Sequence, residues 1–306
     1  MSRCPACGDK ASVPIAPYRY QSPVFDGCHM ASCQSCSLVF VRPMPDALEL
    51  ERYNSRYFAE AHGGHPASRS DTAFFQALAK VRSFYIIEYL KNNGIIVESV
   101  LEFGPGQGHF ARAWMESNPS CRYRAVETDV SCHTLLRQIG VELVGDTSNF
   151  HADLIVMSHV LEHVPDPQFF LNQAAENLAD GGVLFIEVPC SDWMYKSLDE
   201  PHILFFNKRS MRSLLESVGF EKIELAYVGE SIQKLKKKLI GARISDAIRS
   251  RLIKRGILWP LEFTRAENVE GLSKIERAAI APFQANVESN EEARWLRVIA
   301  RTKRRN

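Results

Sequence analysis

Six short apolar runs, each followed by turn residues and a helical stretch, constrain the fold of this chain more than any other feature. They occupy residues 99–103, 123–126, 141–144, 154–157, 183–188 and 223–228. Apolar runs that alternate with helices are typical of a parallel sheet covered by helices on both faces. The sequence therefore predicts an α/β protein built on a doubly wound sheet.

The segment before the first run, residues 46–96, is predicted to be a helical linker. Apolar side chains recur there at helical spacing, with few glycine or proline residues between them. The sequence Gly-Gly-His-Pro at residues 63–66 interrupts the pattern, so two helical segments are expected.

A glycine-rich turn follows the first run and opens a helix, at the position where such sheets bind nucleotide-like ligands. Its glycines are Gly104, Gly106 and Gly108. A dinucleotide fingerprint needs its third glycine one position later, where His109 stands, so the spacing argues against a dinucleotide. The carboxyl group of Glu102, just before the turn, favours a ligand that carries positive charge.

Further motifs follow the glycine turn in order along the chain. They are Glu127 after the second run, Gly145-Asp146 after the third, Ser158-His159-Val160-Leu161-Glu162-His163 after the fourth, Leu178-Ala179-Asp180-Gly181-Gly182 before the fifth and Ser217-Val218-Gly219-Phe220 before the sixth. With the Glu-x-Gly-x-Gly-x-Gly of the turn, this series closely resembles class I S-adenosylmethionine-dependent methyltransferases of the domain 23 and 11 kind, over residues 97–229. The resemblance implies a Rossmann-like sheet and S-adenosylmethionine as the cofactor.

The resemblance also implies which residues hold the cofactor. Residues of the turn would hold its methionine end: Glu102, Phe103, Gly104, Pro105, Gly106 and Gly108. Glu127 would accept hydrogen bonds from both ribose hydroxyls. Asp146 would face the adenine amino group, and Ser158 with His159 would line the floor beneath the sulfonium. The alternative for Glu127 and Asp146 is a pair of solvated acids at strand ends.

Two Cys-x-x-Cys pairs near the N-terminus predict a metal site. They are Cys4 with Cys7 and Cys33 with Cys36. Two such turns make the closed tetrahedral sulfur site that a structural zinc ion prefers. Residues 1–45 are therefore predicted to be a zinc-binding module that does not fold without its metal. Cys28 and His29 are competing ligands, and four reduced cysteines without a metal are the remaining alternative.

The acceptor side is predicted from histidines near strand ends. His159, His163 and His202 are the candidates, and His202 is preferred because it follows the fifth run and its loop. A cysteine module ahead of a class I methyltransferase domain resembles the methyltransferases of bacterial sugar and surface-polysaccharide pathways, including sugar-nucleotide C-methyltransferases. In those, a Glu-His pair before an aromatic run supplies the base. His202 matches that histidine, while Pro201 stands in the place of the glutamate.

This second resemblance implies methyl transfer to a carbon or oxygen of a small molecule, a sugar or sugar nucleotide of a surface-polysaccharide or secondary-metabolite pathway, with His202 as the base. Two other functions remain open. A methyltransferase acting on RNA or protein would use the cysteine module and the basic C-terminal part for docking. A non-catalytic protein would bind S-adenosylmethionine and transfer nothing.

The end of the chain is predicted to close the sheet. Residues 294–301 have the β-branched and aromatic content of a strand and resemble the closing strand of the family. Residues 230–291 would then be a basic helical insertion, and residues 292–306 the closing strand with a basic tail. The alternative is a plain C-terminal helical extension.

The basic residues are concentrated in this C-terminal part. Residues 230–306 hold 18 basic and nine acidic residues, and the rest of the chain carries a net charge of −8. Residues 234–255 alone hold nine basic residues and one acid, with apolar residues at helical spacing. Three interpretations are open for such a helix. Its apolar face packs on the domain and its basic face is solvated, or it attaches to an anionic membrane surface, or its charge draws a phosphorylated acceptor towards the site.

The whole-chain charge argues against a nucleic-acid partner, since 37 Lys and Arg face 36 Asp and Glu. The first residues have no apolar core of a secretory signal, and no apolar stretch approaches the length that spans a bilayer. We therefore expect a cytoplasmic protein that acts on a small-molecule acceptor.

Overall fold

A computed structural model shows an α/β protein with two sheets, which confirms the predicted fold class. It describes residues 3–20, 22–56, 69–145, 147, 150–196, 201–237 and 271–302. The strands are β1 (Ser12–Pro17), β2 (His29–Cys33), β3 (Val39–Arg42), β4 (Ser99–Phe103), β5 (Arg122–Val126), β6 (Glu142–Leu143), β7 (Ala152–Ser158), β8 (Leu178–Pro189), β9 (Leu204–Phe205), β10 (Phe220–Ser231), β11 (Glu288–Ser289) and β12 (Ala293–Thr302). The helices are α1 (Ala47–Asn54), α2 (Arg69–Asn92), α3 (His109–Ser117), α4 (His133–Gln138), α5 (Pro167–Glu176), α6 (Lys208–Ser217), α7 (Ile232–Lys236) and α8 (Lys274–Ile280).

The larger sheet has eight strands in the order β11-β10-β12-β8-β7-β4-β5-β6. Strands β6, β5, β4, β7 and β8 pair in parallel. All five residues of β4 are buried, as expected for a strand covered on both faces. The chain runs from β4 to β5 on one side and later returns to β7 on the other. The carboxyl ends of β4 and β7 therefore form a switch point, where open α/β sheets bind their ligands.

The predicted strands are all present; the first has its predicted ends, Ser99–Phe103, and each of the others is shifted at one end or both. The third is only two residues long, because it lies at the sheet edge and pairs with β5 alone. The fifth and sixth are twelve residues each, since β8 begins at Leu178 and β10 continues to Ser231.

The predicted closing strand is present as β12. It lies between β8 and β10 and is antiparallel to both, so that Val298 faces Ile186 on one side and Leu225 on the other. The short helix α7 follows β10 directly. Of the basic stretch 234–255, residues 234–237 belong to the described part of the chain and the rest lie outside it.

The segment predicted to be a helical linker, residues 46–96, contains α1 and the long helix α2. The break expected at residues 63–66 lies outside the described residues. Asp46 caps α1 by accepting hydrogen bonds from the backbone N–H groups of Leu48 and Glu49. Among the described helices, none is long and apolar enough to cross a membrane.

The cysteine-containing segment shares a sheet with the rest of the chain, which the sequence does not predict. Strands β1, β2 and β3 form an antiparallel sheet, and β9 extends it, with Val39 facing Phe205 and Phe40 facing Leu204. Buried side chains of both parts belong to one hydrophobic cluster, including Leu38 and Phe206. The N-terminal segment is thus packed into the main core.

A buried carboxylate joins helix α2 to the sheet. Glu187 on β8 is fully buried, and its Oε1 lies 2.5 Å from Nη2 of Arg82 on α2. Its Oε2 accepts a hydrogen bond of 2.5 Å from Nε of Arg297 on β12. Burial by itself raises the pKa of the Glu187 carboxyl, but the two guanidinium groups outweigh it and hold the pKa well below its ordinary value.

Replacing Glu187 by Gln is expected to lower the free energy of unfolding by about 3 kcal/mol or more, because two buried guanidinium groups lose their counter-charge. The matched control is Glu142→Gln, which removes the exposed ion pair with Arg124 and is expected to cost less than about 1 kcal/mol. Urea unfolding measures both. Equal losses in the two variants would contradict the importance of the buried network.

Candidate functional site

The glycine turn lies between β4 and α3, at the switch point of the sheet. Gly106 has φ +55°, and a Cβ atom built on it would have no atom within 4 Å, so its backbone borders open space. Gly108 has φ +72°, and a Cβ there would lie 2.6 Å from a side-chain carbon of Ile139. The turn thus needs glycine for conformation at both positions, and at Gly106 it leaves room for a ligand to approach the backbone.

Glu127 follows β5 and is tied to the glycine turn. Its Oε2 accepts a hydrogen bond of 2.7 Å from the N–H of Gly106, and its Oε1 accepts one of 2.8 Å from the N–H of Asp129. Burial raises the pKa of its carboxyl, while these backbone hydrogen bonds lower it by less. The carboxylate is held beside the open space and does not point into bulk solvent, as a solvated acid at a strand end would.

Glu102 lies beneath the turn rather than on its surface. It is 2% exposed, and its Oε2 accepts a hydrogen bond of 2.6 Å from the hydroxyl of Tyr123. Burial raises the pKa of its carboxyl to about 8, although the Tyr123 hydroxyl partly offsets this. Any effect of Glu102 on a cationic ligand therefore passes through the backbone of the turn.

The other residues expected around the turn vary in exposure. Phe103 is buried at the end of β4 and packs edge-on against Phe170, with ring centroids 5.1 Å apart. Gly104 is exposed, and Pro105 is half-buried. Asp146 lies outside the described residues.

Ser158 and His159 end β7 at the same edge of the sheet. The Ser158 hydroxyl is buried and has no hydrogen-bond partner among the described residues. His159 has φ +58°, a conformation in which a side chain is strained, and its N–H bonds the carbonyl oxygen of Glu187 at 2.8 Å. Such strain is a feature of functional sites.

The His159 imidazole stands between two buried carboxylates. Its Nε2 lies 3.5 Å from Oε1 of Glu187, and its Nδ1 lies 3.4 Å from Oε1 of Glu162. Burial lowers the pKa of His159, but the two carboxylates raise it more. His159 therefore holds its proton to a higher pH than a free imidazole.

His202 is buried just before β9 and is oriented from two sides. Its Nδ1 lies 2.8 Å from Oδ2 of Asp192, which is also buried, and its carbonyl oxygen accepts a hydrogen bond of 2.8 Å from the Tyr18 hydroxyl. The His163 ring lies edge-on against the His202 ring, with centroids 4.9 Å apart. Asp192 thereby orients the ring and favours the tautomer with its proton on Nδ1.

The side-chain carboxylate of Glu162 accepts no hydrogen bond from the described residues. It is 1% exposed, and neither carboxylate oxygen accepts a hydrogen bond from a described residue, since the His159 contact lacks hydrogen-bond alignment. Burial raises its pKa, but the neighbouring imidazoles of His159 and His163 lower it further, so the pKa is below its ordinary value.

The four predicted cysteines come together in one cluster. Sγ of Cys4 lies 3.6 Å from Sγ of Cys36, and Sγ of Cys7 lies 3.6 Å from Sγ of Cys33. All four sulfur atoms lie within 4.8 Å of one another. Zn–S bonds of about 2.3 Å in a tetrahedron place the sulfurs about 3.8 Å apart, so the cluster is compatible with zinc.

Neither competing ligand belongs to that cluster. Cys28 donates a weak hydrogen bond from Sγ to the carbonyl oxygen of Pro43, and His29 lies in β2. The sequence also leaves three residues of the site unnoticed or unassigned. Asp192 and Tyr18 do not belong to any sequence motif. Glu162 belongs to the motif after the fourth run, but the resemblance implies no role for it.

Comparisons with known proteins show the family and the fold of the chain. A family model described as a methyltransferase domain matches residues 55–225, more than half of the chain. No curated protein sequence matches.

Among solved structures, the plantazolicin methyltransferase BamL, in complex with a triazolic desmethylPZN analog and SAH, is 13% identical, with a TM-score of 0.50 over 82% of this chain and 96% of that one. A SAM-dependent methyltransferase from Archaeoglobus fulgidus is 16% identical, with a TM-score of 0.46 over 74% and 93% of the chains. A SAM-dependent methyltransferase from Thermotoga maritima, a possible histamine N-methyltransferase by its description, is 15% identical, with a TM-score of 0.45 over 84% and 95%. The similarity to BamL shows the class I methyltransferase fold.

The buried Glu102 predicts a pH effect on stability. Its carboxyl is protonated in the folded state up to about pH 8, whereas in the unfolded chain it ionises near its ordinary value of 4.5. The contribution of Glu102 to the free energy of unfolding is therefore complete at low pH. It is lost as the pH rises between these two values, by about 1.4 kcal/mol per pH unit. Glu102→Gln, which is always neutral, is expected to remove this decline.

Urea unfolding at intervals from about pH 5 to pH 8 measures this difference. The control is Glu116→Gln on the exposed face of α3. Its curve of unfolding free energy against pH should run parallel to that of the original protein. A Glu102→Gln curve that also runs parallel would mean that Glu102 is ionised in the folded state.

Proposed function

Since the chain belongs to the methyltransferase domain family, we propose that it transfers a methyl group from S-adenosylmethionine to a carbon or oxygen of a small-molecule acceptor. One observation carries this proposal: the open backbone at Gly106 lies beside a carboxylate, Glu127, that is held by the turn itself. The acceptor class that we propose is a sugar or sugar nucleotide. The paired cysteines and the position of His202 support it.

The cofactor side is assigned to the switch point. The turn from Glu102 to Gly108 is proposed to hold the methionine end, and Glu127 the ribose hydroxyls. The hydroxyl of Ser158, which is buried and neither donates nor accepts a hydrogen bond among the described residues, and the ring of His159 would form the floor. S-adenosylmethionine supplies an electrophilic methyl group on a sulfonium.

The chemistry is an in-line displacement, and the chain's part in it is mainly alignment. The acceptor atom must stand about 3–3.5 Å from the methyl group. Its electron pair forms the new bond to carbon, the carbon–sulfur bond breaks with its electrons remaining on sulfur, and the acceptor loses its proton. We propose His202 as the residue that assists loss of the proton, since Asp192 orients its ring at the acceptor side.

The four cysteines are proposed to hold a structural zinc ion that also positions His202. The module contacts the His202 segment at three points. The N–H of Val41 bonds the carbonyl oxygen of Ile203 at 3.0 Å, β3 pairs with β9, and Tyr18 bonds the backbone of His202. Loss of the metal would therefore loosen the acceptor side and leave the cofactor side intact.

The first test is calorimetry with S-adenosylmethionine and its demethylated product. Both are expected to bind, and Gly106→Ala is expected to weaken binding about tenfold or more, because the new Cβ projects into the ligand space. Gly94→Ala is the matched control, because Gly94 has a similar φ of +63° and open surroundings but follows α2. It should bind like the original protein.

The same protein is then given sugar nucleotides and free sugars with the cofactor, and products are identified by mass spectrometry. A singly methylated sugar is the expected product. Absence of binding to both cofactor forms would overturn the proposed function. Binding with methylation only of RNA or protein would overturn the acceptor class alone.

Cys33→Ser is expected to abolish zinc binding, lower the melting temperature and reduce turnover, while affinity for S-adenosylmethionine stays near the original value. Metal analysis and calorimetry measure this separation. Cys28→Ser is the control, since Cys28 lies outside the cluster and should retain zinc and activity. A purified original protein with far less than one zinc ion per chain would contradict the metal site.

A further inference from the structure

We propose that Glu162, His163 and His202 form a second metal site, which binds a divalent first-row transition-metal cation on the acceptor side. Each residue offers one ligand atom, and the three atoms lie within 4.8 Å of one another. The inference rests on the proposed function and refines it, because it makes His202 a metal ligand rather than the base itself.

The Glu162 carboxylate gives the strongest reason for a cation. It is 1% exposed, and no described residue donates a hydrogen bond to either of its oxygens. Burying an ionised carboxylate that accepts no hydrogen bond is costly even where, as here, an imidazole lies 3.4 Å from one oxygen, and buried charges in proteins are paired or coordinate metals. A bound cation would satisfy the lone pairs of this carboxylate, which the His159 contact leaves without a hydrogen bond.

The two imidazoles are oriented as metal ligands usually are. Nδ1 of His202 lies 2.8 Å from a carboxylate oxygen of Asp192, and Nδ1 of His163 lies 3.3 Å from the carbonyl oxygen of Pro201. A ligating histidine typically donates its other ring N–H to a carboxylate or a backbone carbonyl, which fixes the tautomer. Both rings therefore have Nε2 as the nitrogen that would bind the cation.

The ligand set selects the kind of cation. Two imidazoles and one carboxylate suit zinc, cobalt or iron, whereas magnesium and calcium prefer oxygen ligands throughout. Three protein ligands leave a coordination position open, as in catalytic rather than structural zinc sites. The cysteine cluster, with four sulfur ligands, is of the closed kind.

The open position would receive the acceptor's hydroxyl oxygen. A cation lowers the pKa of a bound hydroxyl, so the proton leaves to water and the oxygen keeps the electron pair that attacks the methyl group. The oxygen–carbon bond forms as the carbon–sulfur bond breaks. The substrate class that follows is a hydroxyl-bearing acceptor.

Cobalt titration tests the site without relying on activity. Full-length protein with zinc in the cysteine cluster is titrated with Co²⁺ and followed by visible absorption. One further equivalent is expected to bind, with ligand-field bands but without the sulfur-to-cobalt charge-transfer band of a thiolate site. Glu162→Gln and His163→Asn should each lose this equivalent.

His151→Asn is the matched control, because His151 is an exposed imidazole at the opposite end of β7. It should bind cobalt like the original protein. Thermal unfolding and calorimetry with S-adenosylmethionine check that each variant is folded, and the half-buried His163 provides a second variant should Glu162→Gln fail to fold. An original protein that binds no second equivalent, or folded variants that still bind it, would overturn the site.

Asp192→Asn supplies a graded test of the orienting hydrogen bond. It should weaken cobalt binding at this site about 10- to 100-fold without changing the zinc content of the cysteine cluster. Unchanged cobalt affinity would count against His202 as a ligand.

The role of the cation is tested by removing it with a mild chelator while zinc stays in the cysteines. Methyl transfer is expected to fall about 100-fold or more and to return on addition of Zn²⁺ or Co²⁺, with cofactor affinity unchanged. Turnover that persists without the second cation would overturn its role and leave the proposed function standing. Failure to bind S-adenosylmethionine would overturn the proposed function, and cobalt binding would still decide the site.

Discussion

The double ion pair of Glu187 is the interaction on which the rest of the structure depends. Its carboxylate joins helix α2 through Arg82 to the closing strand β12 through Arg297, at the centre of the sheet. Its backbone carbonyl accepts the N–H of His159 and holds the strained turn after β7. One residue therefore connects helix α2, the C-terminal strand and the turn that we propose as the floor of the cofactor site. A buried ion pair contributes little net stability, but it is specific, because only one register of β12 against β8 brings Arg297 to the carboxylate that Arg82 contacts from α2.

The acceptor side depends on a second connection, between β3 and β9. Strand β9 is two residues long and has no other strand partner in the described part of the chain. Its pairing with the cysteine-containing sheet is joined by a hydrogen bond from the N–H of Ile203 to the carbonyl oxygen of Glu162, and His202 stands two residues before it. The side chain that we propose as the base is thus positioned in part by the segment for which we propose a structural zinc ion. A zinc ion there could affect turnover without contacting the cofactor.

The sequence predicts those features that have a local or periodic signal. The alternation of apolar runs predicts the sheet, Cys-x-x-Cys spacing predicts the sulfur cluster, and the β-branched residues 294–301 predict β12. The pairing of β9 with β3 has no such signal, because two residues carry no period and their partner lies about 160 positions away. The burial of Glu102 under Tyr123 was equally hidden, since a residue's depth depends on side chains from neighbouring strands. The role of Asp192 could not be predicted either, because its contact with His202 exists only in the folded chain.

The charges around His159 explain why a histidine suits that position. Its imidazole contacts the carboxylates of Glu162 and Glu187, and Glu187 is also paired with the guanidinium groups of Arg82 and Arg297. A protonated imidazole therefore gives Glu162 its counter-charge, in keeping with the raised pKa of His159. A permanently charged lysine would repel a sulfonium and a metal cation alike. Histidine, unlike lysine, titrates near neutral pH, so the charge at this position is not fixed.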